Sequence, residues 1–161
     1  MIPEYKEIKK DELEKYRHLI LPMIYDELMQ QENINTDYIC IASWLGGEPV
    51  GVIIVDLEGN GDLNLLSIWT DQRYRRMGVA SALKDKMTFV AVNIYDWDDA
   101  QYGDNVFLRT MYCLADEYRE PFEGWLEAND FTEFGIIAKA TESDPEKCIA
   151  TAEINFMRFT G

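Results

Sequence analysis

Three arginines and one glycine, Arg73, Arg75, Arg76 and Gly78, crowd into the stretch TDQRYRRMGVASALKDKM at residues 70–87. If a loop turns into a helix here, the chemistry suits an anion. The first N–H groups of a helix have no intrahelical partner, and the helix dipole adds partial positive charge beside them. Gly78 lets a bulky phosphate approach the backbone, and Ala80 and Ser81 keep the next turn small. Guanidinium groups present paired donors that match phosphate oxygens. Residues 71–86 hold five bases (Arg73, Arg75, Arg76, Lys84, Lys86) and two acids (Asp71, Asp85), net +3, so the rest of a −15 chain carries −18. A polyanionic ligand has one favourable landing place. The plainer alternative is a solvated helix start whose arginines pair with surface carboxylates. The phosphate loop of nucleotidases is excluded, because Gly-x-x-x-x-Gly-Lys-Ser/Thr is absent. The dinucleotide fingerprint is excluded too, because only one glycine is present.

Other reactive side chains are sparse. His18 is the only histidine, so a multi-histidine metal site has no ligands and a Ser-His triad is disfavoured. Cys40, Cys113 and Cys148 lie far apart without C-x-x-C spacing, and they read as small buried hydrophobes of a reducing compartment. Thirty acids against fifteen bases repel a phosphate backbone, which excludes nucleic acid as a partner. A cationic or amine partner fits that balance, although acidity also serves solubility alone. No apolar run reaches the roughly 20 residues of a spanning helix, so no membrane partner is expected. The N-terminus MIPEYKEIKK lacks the apolar core of a secretory signal, and a cytoplasmic location is the expectation.

The elements that must position this stretch can be read from periodicity. At 161 residues, 47% hydrophobic, the chain suits one compact domain over 1–161 with a real core. IPEYKEI reads as a first strand. DELEKYRHLILPMIYDELMQQEN has amphipathic helical spacing and is split or kinked by Pro22. DYICIASWLGG, EPVGVIIVDLEG and DLNLLSIWT are three strands joined by tight turns, an antiparallel meander. A helix follows Gly78 and runs as far as Tyr95. DWDDAQYGDN reads as an acidic loop, VFLRTMYCLA as a strand, and PFEGWLEAND as a short helix with Pro121 in its first turn. FTEFGIIAKAT and KCIATAEINFMRFTG close the chain as two strands. The predicted order is β-α-α-β-β-β-α-β-α-β-β, an α+β fold with one mixed, mostly antiparallel sheet flanked by helices.

LSIWTDQRYRRMGVASALKD resembles the acyl-CoA signature of the GNAT superfamily of N-acyltransferases, Arg/Gln-x-x-Gly-x-Gly/Ala, here Arg75-Arg76-Met77-Gly78-Val79-Ala80. The element order is similar to that family's from about Ile2 to the end. The resemblance implies acetyl-CoA as cofactor, with backbone N–H groups from Arg76 through Met77, Gly78, Val79 and Ala80, and neighbouring Ser81, around its pyrophosphate. It implies that the strand edge of Ser67, Ile68, Trp69 and Thr70 pairs with the pantetheine arm. It also implies that this strand splays from VFLRTMYCLA, and that an N–H there stabilises an oxyanion. Amine acetylation needs a neutral amine, so a base must remove a proton before attack on the thioester. Asp62 stands where some relatives carry a glutamate base, and as a residue beside NG it also suits a turn. Tyr112 is a candidate acid for the departing thiolate, with Tyr118 less constrained; a core tyrosine is the alternative for each. Of the family's later Asn-x-x-Ala-x-x-x-Tyr-x-x-x-Gly-Phe segment little is kept: Arg119 takes the Asn position and Leu126 the Tyr position. Trp69 is placed to touch the acyl arm, Trp125 to line the opposite wall, and Asp96, Asp98, Asp99 and Asp104 to attract a cation. The resulting expectation is an N-acetyltransferase acting on an amine of a small molecule or protein, as a monomer or homodimer. A related domain that binds coenzyme A or a partner without turnover is the alternative.

Overall fold

The computed structural model describes residues 2–57, 63–94, 107–112, 116–129, 132–138 and 149–155; for 107–112, 116–119, 132–138 and 149–155 it describes the backbone alone. In chain order the elements are β1 (Glu4–Glu7), a 3-10 helix (Lys10–Leu19), α1 (Pro22–Met29), α2 (Ile34–Asp37), β2 (Tyr38–Leu45), β3 (Glu48–Leu57) and β4 (Leu63–Thr70). A second 3-10 turn (Gln72–Tyr74) leads to α3 (Val79–Asn93), β5 (Phe107–Tyr112), α4 (Asp116–Ala128), β6 (Thr132–Ala138) and β7 (Ile149–Asn155).

Local chemistry explains the boundaries. Leu13, Tyr16 and Leu19 are buried at intervals of three, which suits three residues per turn, so this segment winds as a 3-10 helix where an α-helix was expected. Pro22 splits the helical region as expected, and it does so as the first residue of α1, where its missing N–H costs nothing. The Asn33 side chain accepts from Asn35 N at 2.9 Å and caps α2, a four-residue helix that periodicity did not reveal. Gly46 and Gly47 both take positive φ, +58° and +83°, and close the β2–β3 hairpin. Two boundaries correct the sequence reading. α3 closes at Ile94, its C-cap, and α4 begins at Asp116, which leaves Pro121 inside the helix instead of in its first turn.

The strands form one seven-stranded sheet in the order β1-β2-β3-β4-β5-β7-β6. Every pairing is antiparallel except β4–β5, which is parallel. The expected meander is β2-β3-β4, and the two closing strands pair with each other. Insertion of β7 between β5 and β6 was not foreseen. Both sheet faces are covered. Ile39, Ile41, Ile53, Val55, Leu63 and Leu65 meet Val79, Leu83, Met87 and Leu126 from α3 and α4 on one face. On the other, Cys40, Val52 and Ile54 meet Leu13, Tyr16, Leu19, Tyr25, Leu28 and Ile34. Among the described residues, no helix is long and apolar enough to cross a membrane.

Candidate cofactor and active site

The site begins with a strand that loses a neighbour. β4 pairs with β5 only over Leu63 to Leu65, opposite Leu108 to Thr110, yet β4 runs on to Thr70 and β5 to Tyr112. Among the described residues, the β4–β5 ladder does not continue over Leu66 to Thr70, where a splay between these strands was expected. A bulge marks the departure. Ile54 pairs with Ser67 and Val55 with Leu65, so Leu66 is an extra residue without a partner on β3. The insertion shifts the alternation by one. Leu63 and Leu65 face the α3 side before it, and Ile68 faces that side after it, whereas Leu66 and Trp69 pack against the α1 side.

Beyond Thr70 a braced loop carries the chain to α3. Asp71 N donates to Val50 O at 2.8 Å, extending the β3–β4 contact past the last strand pair. The Asp71 carboxylate accepts from Arg73 N at 2.9 Å and from the Arg73 guanidinium at 3.2 and 3.1 Å. Arg73 also donates to Glu48 Oε1 at 3.2 Å, and the Tyr74 hydroxyl donates to the same oxygen at 2.8 Å. Those hydrogen bonds from Arg73 hold the Asp71 carboxyl below the usual carboxylate range, and the Tyr74–Glu48 bond raises the Tyr74 phenol. Arg73 is therefore committed to the loop's own structure. Lys84, counted above with the loop's charge, is buried in α3 with its Nζ 3.5 Å from Asp85 Oδ1. Arg75 and Arg76 are the cations left at the turn.

Arg75 Nε donates to Thr70 O at 3.2 Å, and its guanidinium lies 5.0 Å from the Trp69 ring centroid. Arg76 takes φ +65°, a left-handed backbone at a non-glycine residue, and is exposed. Gly78 takes φ +79° and stands at the N-cap of α3, with no side chain capping the helix. The first helical bond runs from Ala82 N to Gly78 O at 3.0 Å, so the N–H groups before Ala82 are not used by the helix. A Cβ at Gly78 would meet nothing within 4 Å, and the space over the helix start is open. Exposed backbone donors, two left-handed residues, open room and two arginines form a cradle suited to a pyrophosphate.

Packing places this cradle. Gly51 on β3 lies under the start of α3, where a Cβ would stand 2.8 Å from Val79 Cγ1, 3.0 Å from Leu83 Cδ1 and 3.3 Å from Trp69 O. Asn129 at the end of α4 donates to Ser81 Oγ at 3.3 Å, and so ties α4 to the first turn of α3. Neither Gly51 nor Asn129 stood out in the sequence; a glycine inside an apolar strand was the only signal.

The remaining expectations distribute unevenly. Ser67, Ile68, Trp69 and Thr70 lie along the open stretch of β4, and Met77, Val79, Ala80 and Ser81 flank Gly78. Trp69 packs toward the α1 face, beneath Arg75. The backbone of Tyr112 ends β5, two residues past its ladder with β4 and opposite Ala150. Asp62, the cluster Asp96, Asp98, Asp99 and Asp104, and Cys113 and Cys148 lie outside the described residues. His18 is exposed, and Cys40 is fully buried, its thiol pushed up to about 12 by burial. Leu126, which the resemblance set at the family's tyrosine position, is fully buried in the core. Trp125 packs against the same core beside Phe122, with ring centroids 5.9 Å apart.

A mixed sheet flanked by helices, with one parallel pair among its described strands and a strand that leads into a glycine-capped helix, places the chain in the α+β class. The model of the acetyltransferase (GNAT) family matches residues 4–94, and the chain belongs to that family of N-acetyltransferases. Solved structures share the fold. An IAA acetyltransferase from Bacillus cereus is 10% identical, with 95% of this chain and 99% of that one covered and a TM-score of 0.68. A spermidine N-acetyltransferase variant from Vibrio cholerae is 9% identical over 99% and 96% of the chains, with a TM-score of 0.67. A diaminobutyrate acetyltransferase from Paenibacillus lautus, solved with L-2,4-diaminobutyric acid and coenzyme A, is 17% identical over 96% of each chain, with a TM-score of 0.63. No curated protein sequence matches significantly.

Proposed function

We propose that this protein is an acetyl-CoA-dependent N-acetyltransferase that modifies a primary amine, with a cationic acceptor favoured by the net charge of −15. The observation that carries the reading is the continuity of one path: the β4–β5 ladder ends at Leu65, and β4 runs on to a helix start at Gly78 that no side chain caps. The residues present fit the cofactor, since an open αL glycine and unused N–H groups are what a pyrophosphate requires. The N–H groups of residues 76–80 hold the pyrophosphate, Arg75 and Arg76 add charge, and the edge of Ser67 to Thr70 pairs with the extended arm. When bound, acetyl-CoA supplies the activated acyl group as a thioester.

The chain's own part is to align the acceptor, exclude water and move protons. Asp62, just before β4, takes a proton from the ammonium form of the acceptor, directly or through one water. Tyr112, at the end of the splayed β5, returns a proton to the departing thiolate. The resemblance sets the buried Leu126 at the family's tyrosine position, which favours a proton donor from another element. Neighbours with this fold that act on spermidine or diaminobutyrate support a small polyamine or diamino acid as the acceptor class.

Calorimetric titration with coenzyme A tests the cradle. The wild type binds, and Gly78→Glu, which adds a negative carboxylate and strain at the pyrophosphate, weakens binding by about tenfold or more. Unchanged affinity in that variant would remove the phosphate loop. Thiol release from acetyl-CoA over a panel of amines tests transfer. Asp62→Ala and Tyr112→Phe lower kcat about 10²-fold if they carry the protons. Binding without thiol release on any amine would leave a coenzyme-holding domain in place of the transferase.

A further inference from the structure

Ser67 is 2% exposed and lies just past the point where β4 parts from β5. The Leu66 bulge turns its side chain toward the α1 face, where its hydroxyl accepts the Leu21 N–H at 3.2 Å. Leu21 is the N-cap of α1, and its carbonyl accepts the helix's first bond from Tyr25 N at 2.9 Å. No side chain caps α1. One residue is thus fixed to β4 through its N–H and starts α1 through its carbonyl. Ile24 of α1 and Leu66 and Trp69 of β4 pack against the same apolar cluster, so the two elements share a wall.

Among the described residues, the stretch of β4 that carries Ser67 has its ladder with β3. A strand held on one side opens more readily than one held on both. We infer that Ser67 is a positioning residue that couples the open edge of β4 to the start of α1, so that a ligand laid along that edge also orders this helix. The inference rests on the proposed function, in which coenzyme A lies along β4 and the first helices border the acceptor. By linkage, an acceptor that orders α1 tightens coenzyme A by the same factor. The hydroxyl of Ser67 is then used toward α1, while its main chain serves the cofactor edge.

The bond can be cut from either end. Ser67→Ala removes the acceptor. Leu21→Pro removes the donor without backbone strain, because Leu21 has φ −54° and ψ 131° and the preceding Ile20 has φ −128° and ψ 137°. Amide hydrogen exchange at Tyr25 to Met29 is measured with and without saturating coenzyme A, beside calorimetric affinity. In the wild type coenzyme A slows this exchange about fivefold; in both single variants and the double variant, at coenzyme A concentrations that calorimetry shows to saturate each, that protection is lost equally. Ser67→Thr, which keeps the hydroxyl, restores it. The proposal is overturned if protection persists in Ser67→Ala, if wild-type α1 does not respond to bound coenzyme A, or if exchange in β2 and β3 rises equally. Absence of coenzyme A binding to the wild type is read separately by calorimetry, and it sinks the donor reading and this inference with it.

Discussion

At Gly51 the constraint is space, and at Gly78 it is the dihedral angle. A side chain at Gly51 enters the contact between β3 and α3, with Val79 Cγ1 only 2.8 Å from the new Cβ. Gly51→Val is expected to destabilise the protein by about 1–3 kcal/mol in urea unfolding, with weaker coenzyme A binding because the start of α3 is pushed off the sheet. Gly78→Ala meets no atom and costs only the left-handed backbone, about 1–2 kcal/mol by the same measurement. Cys40 gives a chemical check on the core. Its thiol is pushed up to about 12 by burial, so at pH 8 it stays protonated. Mass mapping after brief alkylation is expected to find the Cys40 peptide unmodified in the native protein and fully modified in urea.

The loop between β4 and α3 is held by polar contacts as well as by the packing of Tyr74 against the core. Asp71, Arg73, Glu48 and Tyr74 tie it to the start of β3, and these side chains are largely at the surface. Arg73 hydrogen bonds depress the Asp71 carboxyl in the folded state, so folding is favoured when that group is ionised. The contribution is complete above the unfolded value of about 4 and is lost as pH falls through the lower folded value. Wild type and Asp71→Asn are therefore expected to differ in melting temperature at pH 6 and to converge on acidification below about pH 4. The element reading of the sequence found the loop and the helix after it. It did not find the brace, because Glu48 and Arg73 are 25 residues apart and meet only through the β3–β4 register.

For the whole molecule, the excess of thirty acids over fifteen bases sets two opposed responses to salt. Repulsion among carboxylates lowers the stability of the compact state, and salt screens it within about 10 Å at 0.1 M. The melting temperature is expected to rise between 50 and 500 mM sodium chloride, an experimental range of about one decade. Under the proposed function, coenzyme A affinity is expected to fall over the same range, because Arg75 and Arg76 stand on an exposed turn where salt screens their charge. A calorimetric series at those salt concentrations, beside thermal melts, reads both signs. If both quantities moved together, the positive charge of the cradle would not act on the ligand.

Pattern and spacing alone determined the α+β class, the meander, the break at Pro22 and the glycine-led helix, since each follows from periodicity or from the dihedral limits of Pro and Gly over a few residues. The proposed cradle could be put forward for the same reason: Arg75, Arg76 and Gly78 are neighbours in the chain. Tertiary structure alone decided that Arg73 is held by Glu48 and Asp71, that Gly51 must be bare, that β4 bulges at Leu66 and that Ser67 reaches Leu21 across 46 residues. These are matters of register, and register is set by how two faces of a sheet fill at once, which no single strand encodes. It also placed Leu126 in the core, in the cluster with Leu83 and Met87 of α3.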